Sequence, residues 1–239
     1  MPKFSIRLFV LVWAAYFQAP FTFVQADQLP QKLVFSQISD SSLQKKASVV
    51  ISAAYKNIGV EVQFMELPGR RALQFSNSGK TDGEVFRIER VGSKYTNLIK
   101  VPTSYMSFRG FAYSISGRKI DTWSAMEGSR VGIQRGLVWA EKGSKGMHVI
   151  RFDTNSGLLK KLLDGGIDMA VAGEFSFEKE IRKNDLGKRI LKGKPLTDQK
   201  LFHYLNKKHK KLVPVLDAEI LRMLSKGEVQ RILKISTLD

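Results

Sequence analysis

What most constrains the fold of this chain is a regular alternation of short apolar runs with amphipathic stretches that end at glycine. Residues 33–38, Leu-Val-Phe-Ser-Gln-Ile, form a run too short for a buried helix and suited to a buried strand. Ser41 and Gln44 follow as a capping box, in which the hydroxyl accepts from a first-turn amide and the Gln side chain reaches back. Leu43, Ala47, Val50, Ile51, Ala54 and Ile58 then recur at helical spacing until Gly59 stops the helix. Val60, Val62 and Phe64 alternate as a second strand closed by Pro68. A short helix over 70–77 ends at Gly79, and 82–86 reads as a third strand. Strand, helix, strand, helix, strand implies a parallel sheet with right-handed crossovers.

The second half repeats the rhythm. Residues 130–134 read as a strand running into Gly136, with a helix over 137–142, a strand over 149–152 and a helix capped by Ser156. Leu158, Leu159, Leu162 and Leu163 make one apolar stripe on that helix, stopped by Gly165 and Gly166. Residues 167–172 follow as a buried strand, 201–205 as another, and 216–226 as a closing helix. The spacing therefore predicts two α/β units separated by a middle stretch around 109–124.

Ahead of the first unit, Lys3 and Arg7 precede an apolar run that ends in Val24-Gln25-Ala26, a small-x-small cleavage pattern. Residues 1–26 read as a signal peptide removed on export. An uncleaved anchor is the alternative, but Gln18 and Pro20 interrupt the run short of the roughly 18 apolar residues a spanning helix needs. Beyond the leader stand 37 basic against 22 acidic residues, a formal charge of +15. An exported chain rarely meets nucleic acid, so the balance points to anionic ligands or an anionic envelope surface, or to a solvated basic shell. With no cysteine, the chain must hold together by its apolar core alone.

Two α/β lobes leave a cleft where strand carboxyl ends and helix amino ends converge, an architecture for binding. At this level the chain resembles the type II periplasmic solute-binding proteins, in particular family 3, whose best-known members bind polar amino acids. The stretches that carry the resemblance are 73–83 (LQFSNSGKTDG), 131–136 (VGIQRG), 162–171 (LLDGGIDMAV), and the ending 201–209 with 212–227. The resemblance implies an α/β, two-lobed type II fold with mixed sheets flanked by helices and a two-strand hinge near 111–116 and 196–202. It places a first lobe over 27–112 and 201–239 and a second over 113–200.

It also implies where solute would be held. Relatives that bind amino acids grip the carboxylate with an arginine after the third strand, and Arg87 is the nearest counterpart, with Arg90 behind it. A planar guanidinium matches a carboxylate through two parallel hydrogen bonds. The alternative for Arg87 is an ion pair with Glu84 or Glu89, and the usual Thr-x-x-Arg reads Arg87-Ile-Glu-Arg90 here. Ser36 and Gln37 either donate into the cleft or cap the following helix. Gln134, Arg135 and Gly136 begin a helix whose free amides suit an anion. Asn155 and Ser156 do the same at the next helix or serve as its caps. Glu174 stands where relatives set an acid against the ligand ammonium, or is a loop carboxylate. Phe35, Tyr105 and Phe111 are aromatic candidates for the cleft wall or the core.

Catalytic signatures are absent from the sequence. His148, His203 and His209 lack metal-ligand spacing, there is no Gly-x-Ser-x-Gly elbow, and Gly79-Lys-Thr81 lacks the upstream glycine of a phosphate loop. The reading is a periplasmic, monomeric binding protein, not an enzyme, with no cofactor and no metal. It would take a small polar, carboxylate-bearing solute, an amino acid or small organic acid, for an inner-membrane ABC permease. The alternatives are a sensor feeding a membrane receptor, or a cyclohexadienyl-dehydratase-like enzyme on the same fold.

Overall fold

The computed structural model describes residues 29–235 apart from positions 40, 116, 118, 119 and 136. The leader and Gly136 lie outside the described residues. The chain opens with β1 (Lys32–Ile38), α1 (Ser42–Asn57), β2 (Glu61–Leu67), α2 (Gly69–Ser78), β3 (Gly83–Ile88), α3 (Val91–Lys94) and β4 (Leu98–Lys100). The long β5 (Met106–Ser114) then leads to β6 (Val131–Gln134), α4 (Val138–Gly143), β7 (Val149–Phe152), α5 (Asn155–Leu163), β8 (Met169–Gly173) and α6 (Glu174–Lys183). After the short β9 (Leu191–Lys192), the long β10 (Thr197–Asn206) returns the chain to α7 (Val213–Ser225) and α8 (Glu228–Ile235).

The strands run β2-β1-β3-β10-β5-β8-β6-β7. β1 is parallel to β2 and β3, and β6 is parallel to β7 and β8, as the alternating pattern requires. β5 and β10 join the halves: they pair antiparallel over 106–110 and 197–201, after which β5 continues beside β8 and β10 beside β3. That junction lies within the 196–202 stretch on one strand and just before 111–116 on the other. Gly110 is where β5 changes partners, and a Cβ there would overlap the ring of Trp139.

Each half has its own core. Leu33, Phe35, Val50, Ile51, Tyr55 and Val85 pack with Leu201, Leu205, Leu216 and Ile220, so β10 and α7 contribute to the core of the first half. In the second lobe, alternation along the strands divides the core between two sheet faces: Phe111, Tyr113, Ala170 and Ala172 on one, Ala112, Met169 and Val171 on the other. Two local expectations change. The Ser41 hydroxyl accepts from the Gln44 amide at 3.3 Å, but the Gln44 side chain turns inward to the Phe86 carbonyl at 3.2 Å instead of reaching back. α5 is capped by Thr154, whose hydroxyl accepts from the Gly157 amide at 3.0 Å, two residues before the expected Ser156.

Candidate ligand-binding cleft

The strand ends that feed α1 and α6, with the start of α5, surround a cleft of about 510 Å³. Its first-lobe wall is Ile38, Ser41, Ser42, Leu43 and Phe86. Ser107, Phe108 and Arg109 of β5 form the floor. The second-lobe wall is Gln134, Asn155 and the α6 start from Gly173 to Ser176, with Lys179 and Glu180 further along that helix. Three helix amino ends therefore meet at one cavity, each with a partial positive charge; those of α1 and α5 carry side-chain caps from Ser41 and Thr154. At α6 the cap is Gly173, whose lack of a side chain leaves the first-turn amides without a competing acceptor.

Charge on the floor is internally matched. Arg109 Nε and Nη2 donate to the two oxygens of Glu174 at 2.9 and 3.1 Å, and Lys192 Nζ donates to the same carboxylate at 3.1 Å and to Glu178 at 2.6 Å. Partial burial works against the Lys192 charge, but these carboxylates prevail and raise its pKa above the ordinary lysine value. Asn155 presents the opposite situation, because its Oδ1 is buried and has no hydrogen-bond partner. Across the cleft, Lys46 of α1 sits 4.5 Å from the ring centroid of Phe175 in α6, joining the lobes by a cation–π contact. Lys46 is only 8% exposed; burial first, and the Arg182 charge second, lower its pKa.

Of the thirteen residues singled out from sequence, Gln134, Asn155 and Glu174 line this cleft together. Ser36 is buried in the first lobe, 2.8 Å from the Thr81 hydroxyl, and Gln37 donates to Glu66 at 3.3 Å. Arg87 takes its ion-pair alternative: Nε donates to Glu84 at 2.7 Å and Nη2 to the Gly69 carbonyl at 3.0 Å. Arg90 is exposed before α3. Tyr105 is buried with its hydroxyl on the Val85 carbonyl at 2.9 Å, and Phe35 and Phe111 are core residues. Arg135 pairs with Asp153 at 2.8 Å, and Ser156 is exposed.

Sequence reasoning overlooked Phe86, Phe108, Arg109 and the whole of α6. That helix was legible: Glu174 opens it, Phe177 and Ile181 are four apart and buried, and Arg182 and Lys183 close it. It was masked because it follows β8 with no loop between them. No comparable local signal marks Arg109, which reaches Glu174 across 65 residues of sequence.

No family model matches the chain. It is 25% identical over 195 residues to an uncharacterized protein of Shewanella oneidensis, covering 78% of this chain and 74% of that protein. Among solved structures it is similar to the GluR0 ligand-binding core in complex with L-glutamate, with a TM-score of 0.66, 10% identity and coverage of 88% and 99%. An ancestral arginine-binding protein bound to arginine aligns with a TM-score of 0.61, 17% identity and coverage of 85% and 97%. A histidine kinase sensor domain with similarity to periplasmic binding proteins aligns with 0.60, 16% identity and coverage of 84% and 94%. The fold is the two-lobed type II periplasmic binding protein fold. Among the described residues no helix is long and apolar enough to cross a membrane.

Proposed function

We propose that this chain is an exported solute-binding protein that captures a small polar, carboxylate-bearing solute, an amino acid or small organic acid, between its lobes. The observation that carries this reading is the convergence of the α1, α5 and α6 amino ends on one cleft, since free helix amides and the helix dipole favour an anion. β5 and β10 serve as the hinge, and 27–112 with 201–239 moves against 113–200. Solute contacts with both lobes draw the equilibrium toward closure. The leader over 1–26 delivers the protein to the periplasm, where it works as a monomer without cofactor.

An ABC permease is the receiving partner in this reading. The likeness to a histidine kinase sensor domain supports a membrane sensor as the second reading. Enzymatic dehydration is the weaker rival, since the cleft acid Glu174 is held by two cations instead of being poised to protonate a leaving group. The test is a thermal-shift screen of amino acids and small organic acids. A true solute at a hundred times its dissociation constant stabilises the folded state by about 2.7 kcal/mol. A screen in which every carboxylate leaves the melting temperature unmoved removes the anionic-solute reading.

A further inference from the structure

We infer that the cleft selects an acid that carries no ammonium group, a hydroxycarboxylate in chemical class, and that Arg109 and Lys192 set this choice. The inference rests on the carboxylate reading above and narrows it. A zwitterionic amino acid brings an ammonium into the closing cleft, and a desolvated ammonium needs a carboxylate of its own. Among the described residues, two carboxylates line the cavity, Glu174 and Glu180. Both oxygens of Glu174 already receive donors, the Arg109 fork at 2.9 and 3.1 Å and Lys192 at 3.1 Å. Those cations are tethered to β5 and β9, so they meet Glu174 without the loss of translational freedom that a diffusing ammonium suffers.

Glu180 is a poor substitute. It lies six residues further along α6, about 9 Å from Glu174 by helical rise. Its neighbour Lys179 also lines the cleft, and the buried Lys46 faces α6 from the first lobe. Set against Lys179 and Lys46, the single charge of Glu180 leaves that end of the cleft net positive, which favours an anion over a cation. The second-lobe wall also holds one acceptor that no protein donor reaches. The buried Oδ1 of Asn155 accepts from nothing in the protein, at the first position of α5. Turned into the cavity that Asn155 lines, that oxygen accepts from a solute hydroxyl, which brings no charge to be neutralised, while the carboxylate of the same solute takes the helix amides.

The experiment is calorimetric titration of the purified protein with acids that differ only in amino against hydroxyl at one carbon: alanine with lactate, glutamate with 2-hydroxyglutarate, phenylalanine with phenyllactate. In the pair that binds, the hydroxy acid is expected to bind at least about tenfold more tightly. An amino acid that binds as tightly as its hydroxy partner, or more so, overturns this inference and leaves the carboxylate reading standing. If neither member of any pair binds, this inference falls, while the carboxylate reading falls only with a silent thermal-shift screen. The second arm is the Arg109→Gln, Lys192→Met double variant, which releases Glu174. Its amino-to-hydroxy affinity ratio should move toward the amino acid by about tenfold or more, and an unchanged ratio counts against the assignment. Because the readout is a ratio of two affinities on one preparation, partial unfolding of the variant does not imitate it.

Discussion

Arg87→Ala is expected to lower the unfolding free energy by about 3–5 kcal/mol, the range for removing one partner of a buried ion pair. Glu84 is fully buried and Arg87 only 12% exposed at the side chain. Glu84 keeps the Ser76 hydroxyl at 2.8 Å after the substitution, but its other oxygen loses the Arg87 donor at 2.7 Å, and the Gly69 carbonyl loses one at 3.0 Å. Burial already raises the Glu84 pKa against the opposing pull of Arg87, and removing the guanidinium raises it further. A carboxyl with a raised folded pKa is tolerated below its unfolded value and becomes a liability as pH rises through the folded value. The variant is therefore least destabilised in mild acid. Urea denaturation at pH 5 and pH 8 measures both effects, and Arg87→Met with Glu84→Leu should recover most of the loss. A variant that keeps its stability while losing solute affinity would return Arg87 to the cleft.

Acidification from pH 6.5 toward 4 is expected to remove about 3 kcal/mol through His203 alone, at 1.36 kcal/mol per unit. Its ring is completely buried, with Nδ1 donating to the Val85 carbonyl at 3.1 Å and Nε2 accepting from the Tyr55 hydroxyl at 3.0 Å. Burial disfavours the charged ring and lowers its pKa from 6.5 to about 4, with the Val85 and Glu84 backbone contacts acting weakly the other way. The unfolded chain takes up a proton near pH 6.5, whereas the folded chain resists until about 4. Stability is thus fully present above 6.5 and lost as pH falls. Asp82 adds to acid lability only below its ordinary value of 3.8: partial burial opposes the shift, but His209, Lys208 and the Val34 amide hold its carboxyl far lower. The two windows separate cleanly. Chemical denaturation between pH 7 and 5 should show a slope that largely disappears in His203→Gln, and an equal slope in that variant would show the ring is not the sensor.

The strands and helices that build the lobes were readable because their signals are local. Leu158, Leu159 and Leu162 announce a helix face, and Gly59 and Gly79 take the left-handed conformation that their helix ends require. The site was less readable, for the same reason in reverse. Ser36, Gln37 and Arg87 stand near strand ends of the right kind, yet their partners Thr81, Glu66 and Glu84 turn them into supports of the first lobe. Phe111 looks like a cleft aromatic in sequence, while Phe108 lines the cavity; along β5 only the face on which each side chain stands separates them.

By itself, the sequence determined the α/β character, the order of most elements and the general location of a cleft, since these follow from periodicity, caps and glycine stops that act within a few residues. Only the tertiary structure decided which charges are free. Arg109 and Glu174, Lys192 and Glu174, and Arg87 and Glu84 are each committed by distance in space, and a charge already matched by a tethered neighbour is not available to a solute. The orphaned oxygen of Asn155 is the complementary case, a group left open by its surroundings and visible only once those surroundings are folded.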